Sequence, residues 1–258
     1  MRLKEKVALV TGGNRGIGRG IAEGFAMEGA SIAINFGHHA ESARAVMESI
    51  QARNGKAITV QADVSSAEAV RGMVDQVVGA FGRIDILVNN AGVNSLAPFL
   101  KLTASEVRRI LEVNVTGLFL VSQAVANLMV AQGRGGCILN VSSLVAQRPF
   151  WNMAHYNASK GAVSALTQSM ALELGGYGIR VNEICPASVE TDINRAALQD
   201  PANRKRREEI IPLSRIGQPV DLAGAAVFLC SDEASWLTGV SLVTDGGLSV
   251  VPPFGRPS

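Results

Sequence analysis

The sequence predicts an α/β fold in which helices cover both faces of a parallel sheet. Short apolar runs rich in β-branched residues recur along the chain, and stretches with helical spacing lie between them. Such runs are typical of strands that are buried on both faces. Their alternation with helices indicates right-handed crossovers, so we expect a three-layer, doubly wound arrangement.

Seven apolar runs are predicted to be strands, at residues 7–11, 31–36, 57–61, 84–88, 137–142, 179–184 and 240–244. Helical stretches between them include residues 21–27, 40–53, 67–81, 106–130, 155–174 and 220–229. No proline-rich linker, low-complexity tract or repeat of fixed period divides the chain, so residues 1–258 are expected to form one domain. The least regular stretch, residues 187–217, is the best candidate for a mobile lid.

The composition excludes several classes of protein. Of 258 residues, 47% are hydrophobic and 18% are charged, which excludes a disordered or collagen-like chain. The net charge of +2 favours neither nucleic acid nor a membrane as a partner, and no run approaches the roughly 20 apolar residues of a membrane helix. Because Cys137, Cys185 and Cys230 lie far apart with no C-x-x-C pair, we expect no disulfide, no metal site and a reducing cytoplasm.

A glycine-rich loop follows the first predicted strand and leads into a helix. Glycines there let the backbone approach a pyrophosphate, whose charge is stabilised by the free N–H groups at the start of the helix. We therefore predict a dinucleotide-binding loop. A turn that serves packing alone is the alternative. The predicted binding residues of the loop are Gly12, Asn14, Arg15, Gly16, Ile17 and Gly18.

The spacing of this loop, T-G-x-x-x-G-I-G, resembles the cofactor loop of the short-chain dehydrogenase/reductase family. Other motifs of that family have matches in order along the chain: N-N-A-G at residues 89–92, Ser143 thirteen residues before Tyr156, and Y-x-x-x-K from Tyr156 to Lys160. Asp245 and the two glycines after it are similar to the family's C-terminal signature. Within the family, the chain looks most similar to bacterial glucose 1-dehydrogenases and 3-oxoacyl reductases.

The resemblance implies a Rossmann fold with a seven-stranded parallel sheet, and hydride transfer between a nicotinamide cofactor and a carbonyl or secondary alcohol. The resemblance also implies that Asp63 accepts a hydrogen bond from the adenine of the cofactor. The alternative is that Asp63 serves as the N-cap of the following helix. The family's glycine after Pro186 is replaced here by Ala187, for which a positive φ would be strained. The resemblance implies further cofactor contacts from Asp63, Val64, Asn90, Ala91, Gly92, Tyr156, Lys160, Pro186, Val189 and Thr191.

We expect NADP(H) to be favoured over NAD(H). An acid at the end of the second strand normally holds the 2′-hydroxyl of the adenosine ribose, and this place holds Asn35, Phe36 and Gly37. Phe36 and His38 are expected to border the adenosine. Arg15 and His38 lie where a cation or an imidazole could bind a 2′-phosphate. Use of both cofactors stays open, since Gly37 stands where many relatives have a second arginine.

Tyr156 and Lys160 are predicted to share one face of a helix, because they are four residues apart. A free phenol titrates near pH 10, so an acid/base role at neutral pH asks for about 4 kcal/mol of stabilisation of the phenolate. Lys160 and an oxidised nicotinamide ring would supply it, whereas burial alone opposes it. Ser143 would orient a substrate oxygen. The resemblance implies that Asn114, in mid-helix, bends the helix and holds a water that relays protons to Lys160.

We therefore expect an NAD(P)(H)-dependent dehydrogenase or reductase in which Tyr156 is the general acid and base. A catalytically silent NAD(P)-binding regulator or scaffold, and an epimerase or dehydratase, are the alternatives. The apolar tail from Leu248 to Ser258 predicts either a homo-oligomer, tetramer or dimer, or a tail folded onto its own chain. A mostly apolar pocket favours a small or medium ketone or secondary alcohol as substrate. Its expected walls are Asn94, Ser95, Leu96, Leu144, Val145, Gln147, Phe150, Trp151, His155 and Ser188.

Overall fold

The computed structural model describes residues 1–192 and 194–251, and it confirms the doubly wound α/β fold. Its strands are β1 (Val7–Val10), β2 (Ser31–Phe36), β3 (Ala57–Gln61), β4 (Ile86–Asn89), β5 (Gly136–Val141), β6 (Ile179–Pro186) and β7 (Ser241–Thr244). Within the described residues, these seven strands form one parallel sheet in the order β3-β2-β1-β4-β5-β6-β7. Each strand begins and ends within two residues of its predicted bounds, because the β-branched runs are the segments that pair.

Helices connect successive strands on the two faces of the sheet. Their bounds are α1 (Gly16–Met27), α2 (Ala40–Gln51), α3 (Ala67–Phe81), α4 (Ala104–Leu111), α5 (Leu118–Gln132), α6 (Ala154–Leu174), α7 (Arg195–Leu198), α8 (Pro201–Ile210) and α9 (Ala223–Cys230). The glycine loop was predicted to lead into a helix, and that helix begins at Gly16, inside the loop. The helical spacing of apolar residues starts only at Ile21, because the first turn is rich in glycine, a poor helix former.

Both faces of the sheet are buried, as the apolar runs predicted. In β1, Ala8 and Val10 pack on one face with α1, α2 and α9, and Val7 and Leu9 pack on the other with α3 and α5. This alternation follows from the two-residue period of a strand. Because all strands run in the same direction, the loops that follow β1, β4, β5 and β6 lie together at the carboxyl-terminal end of the sheet.

The helix predicted at residues 106–130 is interrupted. A π-helical turn, Glu112–Gly117, joins α4 to α5. The whole stretch, Ala104–Gln132, is long and apolar enough to cross a membrane by length and composition alone, which the sequence reasoning did not foresee. Its residues Val121, Val125 and Met129 are fully buried against the sheet, as in a core helix.

The segment that we predicted as a mobile lid is more regular than its sequence suggested. It contains α7 and α8, and its ends pair through an isolated bridge between Val189 and Gly217. Within it, Leu198, Ile211 and Ile216 form a small apolar cluster of their own. Ile193 in this segment, and residues 252–258 of the predicted apolar tail, lie outside the described residues.

Candidate active site

The glycine loop between β1 and α1 is shaped by two glycines in the left-handed region, Gly12 at φ +59° and Gly16 at φ +53°. A Cβ on Gly18 would lie 2.4 Å from both the side-chain nitrogen of Asn90 and the carbonyl oxygen of Gly12. A Cβ on Gly12 would lie 3.1 Å from Ala91 Cα. The loop therefore requires glycine for close approach of the backbone, and not for its turn alone.

Residues after β4 hold this loop in place. Asn90 Nδ2 donates to the carbonyl oxygens of Thr11 and Gly12, each at 3.0 Å. In return, Thr11 Oγ1 accepts hydrogen bonds from the backbone N–H groups of Asn90 and Ala91. Asn90 and Ala91, which the sequence assigned to the cofactor, thus also brace the loop that would bind the pyrophosphate.

The polar residues of the loop face different ways. Arg15 is the N-cap residue of α1, and its side chain is exposed. Asn14 is 7% exposed and donates to Ser42 Oγ at 2.8 Å, so that it ties the loop to α2. Ile17 packs against the core beneath α1. Thr191, after β6, lies against Gly16, with its methyl carbon 3.3 Å from a Cβ built there.

Asn35 at the end of β2 performs a structural task. Its Oδ1 accepts from Gly12 N at 3.3 Å, and its Nδ2 donates to the carbonyl oxygens of Val60 and Ala62. The neighbouring Phe36 is 6% exposed and belongs to the core, while His38 beyond it is exposed.

The N-cap alternative for Asp63 is wrong. Ser66 caps α3, accepting a hydrogen bond from Ala69 N at 3.3 Å. The Asp63 carboxylate instead accepts from the hydroxyl and the backbone N–H of Ser65, and these bonds lower its pKa. Val64 is buried and packs so closely on Gly117 that a Cβ there would lie 2.9 Å from its methyl carbon.

The structure brings Ser143, Tyr156 and Lys160 together. Tyr156 and Lys160 lie one turn apart on α6, and Lys160 Nζ is 5.7 Å from the centre of the phenol ring. The ammonium donates to Val141 O at 2.8 Å and is almost completely buried. Ser143, after β5, donates its hydroxyl to Pro186 O at 3.4 Å, and this hydroxyl is near enough to Tyr156 to lower the pKa of the phenol.

Burial is the largest influence on the pKa values of Tyr156 and Lys160. Burial raises the pKa of Tyr156 to about 12, and the nearby Ser143 hydroxyl offsets only part of this rise. Burial also lowers the pKa of Lys160 to about 8, against the opposing attraction of Glu183. Without a bound cofactor, the protein therefore favours a neutral Tyr156 phenol beside a lysine that is still mostly charged at pH 7.

Asn114 lies within the π-helical turn, which is the distortion that the resemblance implied for it. It is 1% exposed. Its Nδ2 donates to Val93 O at 3.0 Å and Ser159 Oγ at 3.1 Å, and its Oδ1 accepts from Val93 N at 2.8 Å. Because Ser159 in turn donates to Tyr156 O, Asn114 couples the loop after β4 to the turn of α6 that carries Tyr156. Gly92 borders Asn114, with 3.2 Å between Asn114 Oδ1 and a Cβ built on the glycine.

The loop after β6 closes the site without strain at Ala187. Among the described residues, those other than glycine with a positive φ are Glu5, His39, Asn54, Asn152 and Ser214, so Ala187 adopts an ordinary backbone conformation. Val189 is buried, and Pro186 O faces the Ser143 hydroxyl.

The sequence reasoning missed Glu183 and the contact between Ser95 and His155. Glu183 is completely buried on β6, and the signal for it was an acidic residue inside an apolar run. His155 Nε2 lies 2.8 Å from Ser95 Oγ, joining the residue before Tyr156 to the loop after β4. No sequence spacing links these two residues, since the fold alone brings them together.

Comparisons with known proteins agree with the geometry. Residues 12–249 match a protein-family model described as enoyl-(acyl carrier protein) reductase. L-rhamnose 1-dehydrogenase (NAD(P)(+)) of a Sphingomonas species is 41% identical over 248 residues, which are 96% of this chain and 98% of the relative. Glucose 1-dehydrogenase 2 of Bacillus subtilis is 36% identical over 251 residues, or 97% of each chain.

A solved structure with the same fold is the gluconate 5-dehydrogenase from Burkholderia cenocepacia J2315 in complex with NADP and tartrate. Its TM-score is 0.91 at 37% identity, over 97% of this chain and 98% of that one. These matches confirm the resemblance that the motifs indicated, including that to a glucose 1-dehydrogenase. The chain belongs to the short-chain dehydrogenase/reductase family and is an oxidoreductase that acts on CH–OH groups.

Proposed function

We propose that this protein transfers hydride between NAD(P)(H) and a small ketone or secondary alcohol, with Tyr156 as the general acid and base. The observation that carries the proposal is the meeting of three groups at the carboxyl edge of the sheet. The Ser143 hydroxyl lies close enough to the Tyr156 phenol to lower its pKa, and the Lys160 ammonium lies 5.7 Å from the centre of the phenol ring.

The residues of the loop fit a dinucleotide, because Gly12 and Gly16 adopt left-handed conformations in a loop that leads into α1. Within the described residues, no side chain caps the first N–H groups of that helix, and its first turn holds no acidic residue. The first backbone N–H groups of α1, together with Asn90 to Gly92, would hold its pyrophosphate and ribose, and Thr191 and Val189 would border the nicotinamide. When bound, the nicotinamide ring supplies the hydride acceptor or donor.

The chain's own groups handle the proton. In reduction, the buried Tyr156 hydroxyl is already protonated and donates to the carbonyl oxygen of the substrate. In oxidation, its oxygen removes the proton of the alcohol, and a nearby positive charge must favour the phenolate. Ser143 orients the substrate oxygen, Lys160 provides positive charge behind the phenol, and Asn114 positions the turn that carries Tyr156.

NADP(H) is the cofactor that we propose to be favoured. The exposed side chains of Arg15 and His38 flank the place where β2 ends without an acid, and both suit a 2′-phosphate. The Burkholderia relative is in complex with NADP, and the Sphingomonas relative is described as using NAD(P)(+). A preference, and not exclusive use, is therefore expected.

The proposed compartment is the cytoplasm. In the described part of the chain, Cys137, Cys185 and Cys230 are buried free thiols, as expected in a reducing environment.

We further propose a homo-oligomer that forms through α5 and α6. Apolar side chains on the outer face of these helices are open to solvent, and Phe119 among them is 46% exposed. The depression between the helices is lined by Val115, Thr116, Phe119, Ala162, Ala165, Leu166 and Ser169. Apolar patches of this kind mark interaction sites, and a second copy of the chain offers the same face.

Tyr156→Phe is expected to reduce turnover by about 100-fold or more, because it removes the proton that the reaction transfers. Cofactor binding, measured by fluorescence titration, should change little. Tyr177→Phe is the matched control, since Tyr177 is an exposed phenol away from the site. Full turnover by Tyr156→Phe would refute the acid/base role and favour the silent regulator.

Arg15→Ala is expected to weaken the binding of NADPH by about tenfold more than that of NADH, because a charge-assisted hydrogen bond to phosphate is lost. Dissociation constants for both cofactors provide the measurement. Arg19→Ala, at an exposed arginine paired with Glu23 on the same helix, is the control. Equal losses for both cofactors would contradict the proposed preference.

Phe119→Glu is expected to dissociate the oligomer, since it places a charge in the apolar face. Light scattering after size exclusion gives the mass of each species. Met27→Glu introduces the same charge at a half-exposed position on α1, in the opposite helix layer, and should leave the mass unchanged. A monomeric wild-type protein, or a Phe119→Glu variant of unchanged mass, would overturn this proposal.

A further inference from the structure

We propose that Glu183 is a positioning residue that keeps Lys160 charged. This proposal rests on the function proposed above for Tyr156 and Lys160. Nothing in the motif pattern assigns a role to residue 183, which lies inside the apolar strand β6.

Glu183 lies on the face of β6 that α6 covers. Its Oε1 accepts hydrogen bonds from Ser164 Oγ at 2.7 Å and Ser241 Oγ at 2.5 Å, and its Oε2 lies 3.4 Å from Thr167 Oγ1. Ser164 and Thr167 follow Lys160 by one and two turns of α6, so all three residues share one face of that helix. The carboxylate therefore lies in the same buried layer as the ammonium.

The sheet register places the two charges close together. Lys160 Nζ binds the carbonyl oxygen of Val141 on β5. On β6, Glu183 pairs with Asn140, the residue directly before Val141. Because neighbouring strands lie about 5 Å apart, Glu183 and the carbonyl group that binds the ammonium come from nearby positions on adjacent strands. Solvent does not screen the two charges, since both side chains are buried.

Hydroxyl groups surround the carboxylate of Glu183. Ser164 and Ser241 donate to it, so that its oxygens have hydrogen-bond partners inside the protein. The Cys185 thiol, 3.5 Å from Oε1, has its pKa raised to about 12 by burial and by the charge of Glu183. This thiol is neutral at pH 7 and adds no negative charge of its own.

Lys160 depends on that charge. Burial lowers the pKa of Lys160 to about 8, and attraction by Glu183 is the largest effect that opposes the decrease. The groups that face the ammonium are Glu183 and Cys185 on β6 and the neutral phenol of Tyr156 on α6. Without the Glu183 charge, the lysine would lose its proton closer to neutral pH and no longer provide positive charge behind the phenol.

Glu183→Gln tests this inference, because glutamine keeps the shape and one acceptor oxygen while removing the charge. The measurement is an NMR titration of the protein labelled at the lysine side-chain carbons, with Lys160→Gln used to assign the signal. We expect the titration midpoint of Lys160 to fall by at least about one pH unit. An unchanged midpoint in folded Glu183→Gln overturns the inference.

Two further variants test whether the effect on Lys160 comes from the charge of Glu183 or from its packing. Glu173→Gln removes the same charge from an exposed position on α6 and should not move the midpoint. Glu183→Asp restores the carboxylate and should return the midpoint toward that of the wild type, whereas a merely structural role predicts no recovery. If Glu183→Gln does not fold, carbon-13 NMR of the labelled wild type decides: a protonated Glu183 at pH 7 overturns the inference, and an ionised one supports it.

These measurements need no turnover, so the two proposals can fail separately. An active Tyr156→Phe variant would refute the proposed function and leave the coupling of Glu183 to Lys160 intact. An inactive Tyr156→Phe variant together with an unmoved Lys160 midpoint would refute only the role of Glu183.

Discussion

The site depends on one constraint, which is that an ammonium group must remain charged inside the protein. Lys160 is buried, and an unpaired buried charge is strongly disfavoured. Its ammonium donates a hydrogen bond to Val141 O at 2.8 Å, and the carboxylate of Glu183 on the neighbouring strand attracts it. Both partners belong to neighbouring strands of the central sheet, β5 and β6.

Burial raises the pKa of the Tyr156 phenol, whereas the oxidation of an alcohol requires a lower pKa. With the pKa of Tyr156 near 12, ionisation at pH 7 lies about five pH units away, which corresponds to about 7 kcal/mol. The protein alone is therefore arranged to hold a proton on Tyr156. Positive charge brought close to the phenol must favour the phenolate, and a dinucleotide with an oxidised ring in the glycine-lined cleft would bring such a charge.

Much of this arrangement was readable in the sequence. The strands followed from β-branched runs, because parallel strands buried on both faces leave little room for polar residues. The motif residues Ser143, Tyr156 and Lys160 meet because the ends of β5 and the start of α6 lie at the same edge of the sheet. Spacing alone could not reveal the π-helical turn at Asn114, since its cause is a set of tertiary hydrogen bonds to Val93 and Ser159.

The roles of three other residues could not be read from the sequence, because they too depend on tertiary contacts. Asn35 looked like a replaced cofactor residue, whereas its side chain joins the glycine loop to β3. Asp63 looked like a possible cap, whereas Ser66 performs that task. Glu183 stood out only as an acid in an apolar strand, and its hydroxyl partners come from α6 and β7, which the sequence does not place beside it.

The most direct measurement of the central claim is an ultraviolet titration of the Tyr156 phenol in the Tyr177→Phe protein, in which it is the remaining tyrosine. The free protein should show no phenolate at about pH 10.5, where an ordinary phenol is mostly ionised. Saturation with oxidised NADP should lower the midpoint by at least about two pH units, because in the proposed site the positive ring would lie near the phenol. An ordinary midpoint in the free protein, or an unchanged one in the complex, would contradict the account.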